Sequence, residues 1–423
     1  MSGHVSSTNP ITGQPEQTLS AGSAQQPRPP AAGSFARQLD QAFNSYSRRQ
    51  QQTEFLRSAD ELGEVMPGVP VDESQRRLVL RNAVAGYGFD PAAPAPIVPP
   101  SPTAPSERSR PSRAIESLGL DPSLLTPLSI DEFPRPAGDN GRGVHWIPTL
   151  SSDARTIDRF VQSAADMGMK WVVFLNEGTN VADNDYLVKR LTDKGIMPVM
   201  RIFTDGIEPI QGDLEGLVRH YHQLGVSYFQ LYNEPNLMVE THGEPPDVSK
   251  YLDLWIPAAK RVIAAGGLPG IGALSPQGEM DDRKFLASAL DELQARGEGD
   301  ILQRTWLAVH NYTGPRPVSD PDGFLRFRQY DAIIRQRLGH SLPMVGTEGG
   351  THVGPGVDES RQVQTVLDSY RYMEQSPEPY NFSYTYWIIA NEAGGGKDPA
   401  FTQHALIRED GPSALARALT ASA

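Results

Sequence analysis

From residue 143 onward, short apolar segments alternate with longer amphipathic segments. The eight short segments are 144–150, 171–175, 197–203, 228–232, 271–274, 306–312, 344–347 and 382–389. A helix between two strands returns the chain to the same edge of a sheet, so successive strands must pair in parallel. Eight such units are typical of a closed barrel. The sequence therefore predicts the α/β class and a (β/α)8 TIM barrel.

An open, doubly wound parallel sheet is the alternative arrangement for the same alternation. Nucleotide-binding sheets of that type carry a glycine-rich phosphate turn after the first strand, and none follows residues 144–150. The glycine run at 394–397 ends in lysine, but Asp398 stands where a phosphate-binding loop requires Ser or Thr. The barrel is therefore favoured, and the open sheet stays the alternative.

Composition divides the chain near residue 136. Residues 1–136 contain 19 of the 37 prolines and none of the five tryptophans, all of which follow residue 145. A segment so rich in Pro, Ala, Ser and Gln buries too little apolar surface to offset the entropy of ordering it. We therefore predict a long, mostly disordered N-terminal arm over 1–136 and one folded catalytic domain over 137–423.

One part of the arm has an amphipathic pattern. Phe35, Leu39 and Phe43 recur every four residues, which indicates a short helix with one apolar face. Two interpretations are open for this segment: a transient helix in a tail, or a docking segment for a protein partner.

Charge and residue types exclude several classes of function. The net charge of −13 disfavours nucleic acid as a partner, because an acidic surface repels phosphate groups. The absence of cysteine excludes disulfides, thiolate catalysis and cysteine-ligated zinc. No apolar run is long enough to predict a membrane span. The N-terminus lacks the pattern of a signal peptide, so the compartment stays unknown, with the cytoplasm as the default.

Two carboxylates follow apolar strand segments on different sides of the predicted barrel. Glu234 follows the fourth segment and Glu348 the seventh, and in such barrels the active site lies at the carboxyl ends of the strands. One such carboxylate alone is as often a structural partner of arginine. Two that face one pocket are what glycosidic-bond hydrolysis requires, because one protonates the leaving oxygen while the other stays ionised. We therefore expect both to be catalytic.

Other polar and aromatic residues in or after the predicted strands complete a candidate substrate-binding set. They are His145 in the first strand, Arg201 in the third, Asn233 after the fourth, His310 and Tyr312 in the sixth, and Trp387 in the eighth. Two further histidines, His220 and His222, are two residues apart on a predicted helix and point to different faces, so they do not form a metal pair. We expect neither a metal ion nor a cofactor.

Several of these segments resemble one known superfamily. The run 229–236, which contains Asn-Glu-Pro, resembles the strand-4 signature of the clan A retaining glycoside hydrolases, the cellulase-like barrels. The run 344–349 resembles the strand-7 segment of their nucleophile, 310–312 resembles their strand-6 His-x-Tyr, and Trp387 resembles their strand-8 aromatic platform. The resemblance covers residues 143–415 and not the arm. It implies a (β/α)8 barrel and a glycosidase.

The resemblance also implies a role for each matching residue. Glu234 corresponds to the general acid/base, and Glu348 to the nucleophile. Asn233 corresponds to the residue that hydrogen-bonds the sugar 2-hydroxyl. Tyr312 corresponds to a hydrogen-bond donor to the nucleophile, and His310 to a residue that lines the pocket.

Three residues remain. The resemblance implies that Trp387 stacks on the apolar face of a sugar ring. It implies that Arg201 holds Glu348 ionised, although the family's arginine usually lies on the second strand and Arg201 lies on the third. His145 is assigned to substrate binding from its place in the first strand.

Together these observations predict a retaining glycoside hydrolase that cleaves O-glycosidic bonds, with β-linked carbohydrate as the expected substrate. A catalytically weak or inactive carbohydrate-binding barrel is one alternative. In the other alternative, the main function is partner binding by the arm, and the barrel is an enzyme that the arm carries as cargo.

Overall fold

A computed structural model describes residues 126–147, 153–276, 278–375, 378–391 and 401–423. Eight parallel strands pair in chain order and close through contact of the first strand with the eighth. The predicted (β/α)8 barrel is confirmed, and the alternative of an open sheet is wrong. The arm prediction for residues 1–125, including the amphipathic pattern, lies outside the described residues.

The strands run around the barrel with one helix after each of the first seven. The strands are β1 (Arg142–His145), β2 (Trp171–Glu177), β3 (Met197–Phe203), β4 (Tyr228–Leu231), β5 (Leu268–Leu274), β6 (Trp306–Tyr312), β7 (Met344–Gly350) and β8 (Asn381–Tyr386). The helices are α1 (Ala154–Asp166), α2 (Asp185–Asp193), α3 (Leu214–Gln223), α4 (Val248–Ala264), α5 (Asp282–Ala295), α6 (Arg326–Leu338) and α7 (Glu359–Gln375).

A short hairpin and a last helix follow the barrel. They are β9 (Ile407–Arg408), β10 (Gly411–Pro412) and α8 (Ala414–Ala421). Two 3-10 segments, Ile130–Glu132 and Gly299–Arg304, precede β1 and β6. Among the described residues, no helix combines the length and the apolar composition that crossing a bilayer needs.

Aspartates begin several of the helices. In each case the carboxylate accepts hydrogen bonds from free backbone N–H groups of the first turn, which have no partner within the helix. The capping residues are Asp153 for α1, Asp213 for α3, Asp247 for α4 and Asp281 for α5.

The observed strand β5 is longer than the predicted segment 271–274. It begins at Leu268 and includes Pro269 and Gly270, two residue types that weaken strand predictions. A Cβ added at Gly270 would lie 2.6 Å from the ring of Trp306, so the close approach of β6 requires glycine there. The apolar pattern missed the start of the strand because Gly270 adds no apolar side chain. It is glycine because the Trp306 ring of β6 occupies the space that a side chain would need.

The amino-terminal end of the barrel is closed by residues that the sequence assigns to the arm. Phe133 is buried against Trp171, Tyr228 and other side chains that fill the barrel at that end. The Tyr228 hydroxyl also donates to the carbonyl of Pro134 at 2.6 Å. Residues 126–136 therefore pack on the barrel, and the boundary of the folded part lies before the predicted residue 137. Composition missed this contact because only a few apolar residues, Leu128, Ile130 and Phe133, pack on the barrel from this segment.

Candidate active site

Glu348 lies at the carboxyl end of β7 and is held by two donors from other strands. Arg201 of β3 places Nη1 at 3.2 Å from Oε1 of Glu348. Tyr312, at the end of β6, donates its hydroxyl to Oε2 at 2.8 Å. Both oxygens of the carboxylate therefore have a directed partner, and one of these is a buried cation.

This environment favours the charged form of Glu348. Burial opposes ionisation, but the nearby His310, Arg201 and His145, together with the Tyr312 hydrogen bond, lower the pKa of Glu348 below its usual range. Hydrogen bonds and positive charge that favour the carboxylate outweigh its desolvation. Glu348 is thus a buried carboxylate whose ionised form is favoured, which suits a nucleophile.

Glu234 reaches the same pocket through an unusual turn. Strand β4 ends at Leu231, and both Tyr232 and Glu234 have positive φ angles, 65° and 39°. Residues other than glycine rarely adopt this conformation, and where they do it is often at a functional site. The backbone N–H of Glu234 donates to the carbonyl of Ala273 on β5 at 2.9 Å, which fixes the turn.

His310 on β6 lies between the two carboxylates. Its Nδ1 is 3.0 Å from Oε1 of Glu234, and its Nε2 is 3.8 Å from Oε1 of Glu348. Burial of the ring favours the neutral form, but the charges of Glu348 and Glu234 and the hydrogen bond to Glu234 raise the pKa of His310. The imidazole therefore connects the two carboxylates electrostatically.

The two carboxylates are close to one another. One carboxylate oxygen of Glu234, one of Glu348 and one ring nitrogen of His310 all lie within 4.8 Å of one another. Such a group could in principle hold a cation. However, Arg201 already places a positive charge at 3.2 Å from Glu348, and a metal ion there would face the guanidinium directly. The geometry therefore suits a pair of acid/base and nucleophilic carboxylates better than a metal site.

Asn233 is fixed by a residue that the sequence did not single out. Its Nδ2 donates to Oε1 of Glu240 at 2.9 Å, and Nε2 of Gln230 lies 3.5 Å from its Oδ1. Glu240 is buried, and burial is the main reason that its pKa rises to about 7. No local pattern marks Glu240, because it lies in the loop after β4, five residues beyond the end of the Asn-Glu-Pro motif.

Aromatic side chains form one side of the pocket. The Trp387 ring, after β8, lies 4.3 Å from the His145 ring and 5.6 Å from the Phe401 ring, centroid to centroid. Nε2 of His352 contacts the Trp387 carbonyl. Tyr312 packs against the same cluster and so joins the aromatic side to Glu348.

Of the two histidines of this aromatic side, His145 is buried and His352 is partly buried. Burial lowers the pKa of His145 and that of His352 to about 4, so both rings are neutral at pH 7. Trp387 itself is only 2% exposed. His145 was expected among the substrate-binding residues, and the structure places it against the Trp387 ring with its Nδ1 toward the Trp146 carbonyl at 3.2 Å.

The structure brings the candidate residues from six strands to one end of the barrel. One hydrogen-bonded and charged network contains Arg201, Glu234, His310, Tyr312 and Glu348. Asn233 is next to this network in the chain, and Trp387 with His145 forms the aromatic side. Alternation along β6 and β7 explains part of this arrangement, because His310 pairs in register with Glu348.

Comparisons with known proteins give likeness at the level of structure. No family model matches the chain, and a search of curated proteins gives no match. A family 39 glycoside hydrolase from Bacteroides cellulosilyticus WH2 is 14% identical, with a TM-score of 0.48, over 68% of this chain and 63% of its own. The chain thus spans less than two thirds of that protein.

Two further solved structures are similar. A GH128 (subgroup II) endo-β-1,3-glucanase from Pseudomonas viridiflava is 18% identical, with a TM-score of 0.45, over 67% of this chain and 97% of its own. An endo-β-1,4-mannanase from Thermotoga petrophila is 11% identical, with a TM-score of 0.43, over 70% and 77%. The activities in these names belong to those proteins, and the chemistry of this chain follows from its own side chains.

Proposed function

We propose that this chain is a retaining glycoside hydrolase that acts on β-linked sugars by double displacement. One observation carries the proposal: two buried carboxylates in different environments share one pocket, and one oxygen of Glu234 lies within 4.8 Å of one oxygen of Glu348. Glu348 is kept ionised by Arg201 and Tyr312, whereas the side chain of Glu234 is hydrogen-bonded to His310. Different surroundings give two like groups different roles.

In the first step, Glu348 attacks the anomeric carbon of the sugar. The glycosidic C–O bond breaks as Glu234 gives its proton to the leaving oxygen, and a covalent sugar ester of Glu348 results. In the second step, Glu234 takes a proton from water, and the hydroxide adds to the anomeric carbon while the ester bond breaks. The products are a free sugar of unchanged configuration and the starting enzyme.

The separation of the carboxylates supports retention. Retaining enzymes have carboxyl groups about 5–5.5 Å apart, whereas inverting enzymes need about 6.5–9.5 Å to fit a water behind the sugar. One oxygen of Glu234 and one of Glu348 lie within 4.8 Å of each other, which is nearer to the shorter spacing than to the longer one.

The remaining candidate residues bind and orient the sugar in this proposal. Asn233 precedes the acid and presents a carboxamide to the 2-hydroxyl, a contact that strengthens as positive charge develops at the anomeric carbon. Trp387 supplies an aromatic face to a sugar ring. Its present burial implies that the surrounding loops must move aside for the ring to be reached.

Hydrolysis of a defined panel tests the proposal. The panel contains 4-nitrophenyl β-glycosides of glucose, mannose, xylose, galactose and glucuronic acid, with soluble β-1,3-glucan, β-1,4-glucan and β-1,4-mannan. We expect turnover of at least one member by the full chain, and loss of nearly all of it in Glu348→Gln. Proton NMR at early times should show the β-anomer first.

Matched controls separate the outcomes. Glu359→Gln removes an exposed carboxylate at the start of α7 and should leave turnover unchanged. An α-anomer as the first product would replace the retaining mechanism by an inverting one. Binding of a panel member without any hydrolysis would instead support the carbohydrate-binding barrel.

A further inference from the structure

We propose that Glu240 is a positioning residue of this site, which fixes the direction of the Asn233 carboxamide. This inference rests on the proposed function, because Asn233 and Glu234 act on the sugar there. In this proposal Glu240 itself contacts neither the substrate nor a reacting atom.

Glu240 is held at both its backbone and its side chain. Its carbonyl accepts from the N–H of Ile207 at 2.7 Å, which joins the loop after β4 to the loop after β3. A Cβ added at Gly206 would lie 2.5 Å from that carbonyl oxygen, so the approach of the two loops depends on glycine. The side chain then reaches Asn233 at 2.9 Å. A side chain anchored in this way can fix the direction of the Asn233 carboxamide.

Charged groups surround Glu240 from several elements. Arg201 of β3, Glu234 after β4 and Glu348 of β7 all influence its ionisation. His242, in the same loop, lies 3.6 Å from Glu208 of the loop after β3, but both of these side chains are about half exposed, so solvent screens them. The dominant influences on Glu240 are therefore burial and the charged residues of the site.

These influences bring the ionisation of Glu240 into the range around neutral pH. Burial raises the pKa of Glu240, Arg201 and the Asn233 hydrogen bond oppose the rise, and the result is about 7. A carboxyl oxygen accepts a hydrogen bond in the neutral acid and in the carboxylate, so Glu240 can hold the Asn233 carboxamide in either form.

The role of the acceptor is therefore separable from the role of the charge by substitution. A glutamine at position 240 keeps an acceptor for Asn233 but never becomes charged, whereas an alanine removes the acceptor.

Three variants of the full chain test the inference, with kcat and KM measured on the panel glycoside that the wild type hydrolyses fastest. Glu240→Ala should raise KM several-fold, since Asn233 loses its partner. Glu240→Gln should recover most of this loss, because its side-chain oxygen still accepts from Asn233. Glu244→Gln removes an exposed carboxylate from the same loop and should leave both constants unchanged.

Two results would overturn the inference. One is a KM of Glu240→Ala equal to that of the wild type. The other is an equal rise of KM in Glu240→Ala and Glu240→Gln, which would show that the acceptor for Asn233 makes no difference. Circular dichroism at 25 °C confirms that each variant is folded before its constants are compared.

A second measurement needs no substrate. In the 15N-labelled wild type, the side-chain NH2 signals of Asn233, assigned by their loss in Asn233→Ala, should shift with pH around a midpoint near 7. Signals that do not titrate would contradict the role of Glu240 even if hydrolysis is found. Titrating signals without hydrolysis of any panel member would leave the pair of Glu240 and Asn233 intact and remove the proposed function instead.

Discussion

Glu234 and Glu348 have the same side chain and face the same pocket, but their partners differ. Glu348 has Arg201 and Tyr312 on its two oxygens, whereas Glu234 has His310. The difference is one of hydrogen bonding and charge rather than of burial, because both side chains are almost equally covered. Substitution of each by alanine should therefore have different consequences.

Glu234→Ala should keep the first chemical step on a 2,4-dinitrophenyl β-glycoside, because that leaving group needs no proton. Its turnover should rise when sodium azide is added, since azide attacks the sugar ester without a general base, and the product should be the β-azide. Glu348→Ala should lose turnover by at least about 10⁴-fold, because the nucleophile itself is removed. Equal behaviour of the two variants on this substrate would contradict the assigned roles.

Glu240 should also make the stability of the protein depend on pH. Its pKa is about 7 in the folded protein and near the ordinary value of 4.5 when unfolded, so the folded state binds the proton more tightly. Stability from this group is complete below pH 4.5 and is lost as pH rises to 7. Relative to Glu240→Gln, the wild type should lose about 3 kcal/mol of unfolding free energy over that window. Urea unfolding of both proteins at pH 4.5, 6 and 8 measures this, and a constant difference would contradict it.

At the scale of elements, the turns that follow the strands determine where the candidate site residues lie. Strand β4 ends one residue before the positive φ of Tyr232, and the turn is fixed through the backbone of Ala273 on β5. The carboxamide of Asn236 reinforces the link, because it donates to the carbonyls of Ser275 and Met280. The direction of Glu234 therefore depends on two adjacent loops as much as on its own strand.

The end of β8 allows a test of the aromatic side. Trp387→Ala should lower kcat/KM at least about tenfold, equivalent to roughly 1.4 kcal/mol of transition-state binding. Because Trp387 packs on His145 and Phe401, the same change should also reduce the unfolding free energy by about 3–5 kcal/mol. Trp387→Phe should recover part of the stability. Unchanged kcat/KM at a temperature where the variant is folded would show that the ring only packs.

At the scale of the whole molecule, the amino-terminal end of the barrel limits where the folded part begins. Besides the Phe133 contact, the N–H of Leu128 donates to the carbonyl of Gln303 at 3.2 Å, and Nε1 of Trp171 donates to Asp139 at 2.8 Å. These contacts lie at the end of the barrel opposite to the candidate active site, so they concern stability rather than chemistry.

Two shortened chains should differ for that reason. A chain that begins at residue 126 should keep the unfolding free energy of the full protein, because the preceding composition adds no core. A chain that begins at residue 137 should lose roughly 3 kcal/mol or more, since it removes the Phe133 contact. Thermal and urea unfolding of both chains, beside the full protein, measure the difference. Equal stability of the two would show that residues 126–136 contribute nothing.

The sequence by itself determined the architecture and the pair of candidate carboxylates. Strand-helix alternation is a local pattern, and it leads to a parallel sheet whatever the details of packing. Glu234 and Glu348 could be picked out because each follows a strand, and all strands of a parallel barrel end at the same side. The same rule located His310, Tyr312 and Trp387.

Only the tertiary structure decided which groups meet and what charge they carry. Arg201 and Glu348 are 147 positions apart, and no local sequence pattern indicates that their side chains touch. Glu240 is an ordinary loop glutamate by sequence, and its pKa rises to about 7 beside Asn233 because folding removes it from water. Phe133 likewise belongs to the barrel only because the barrel has an open end to fill. Contact and desolvation depend on distances in space, which a local pattern along the chain does not contain.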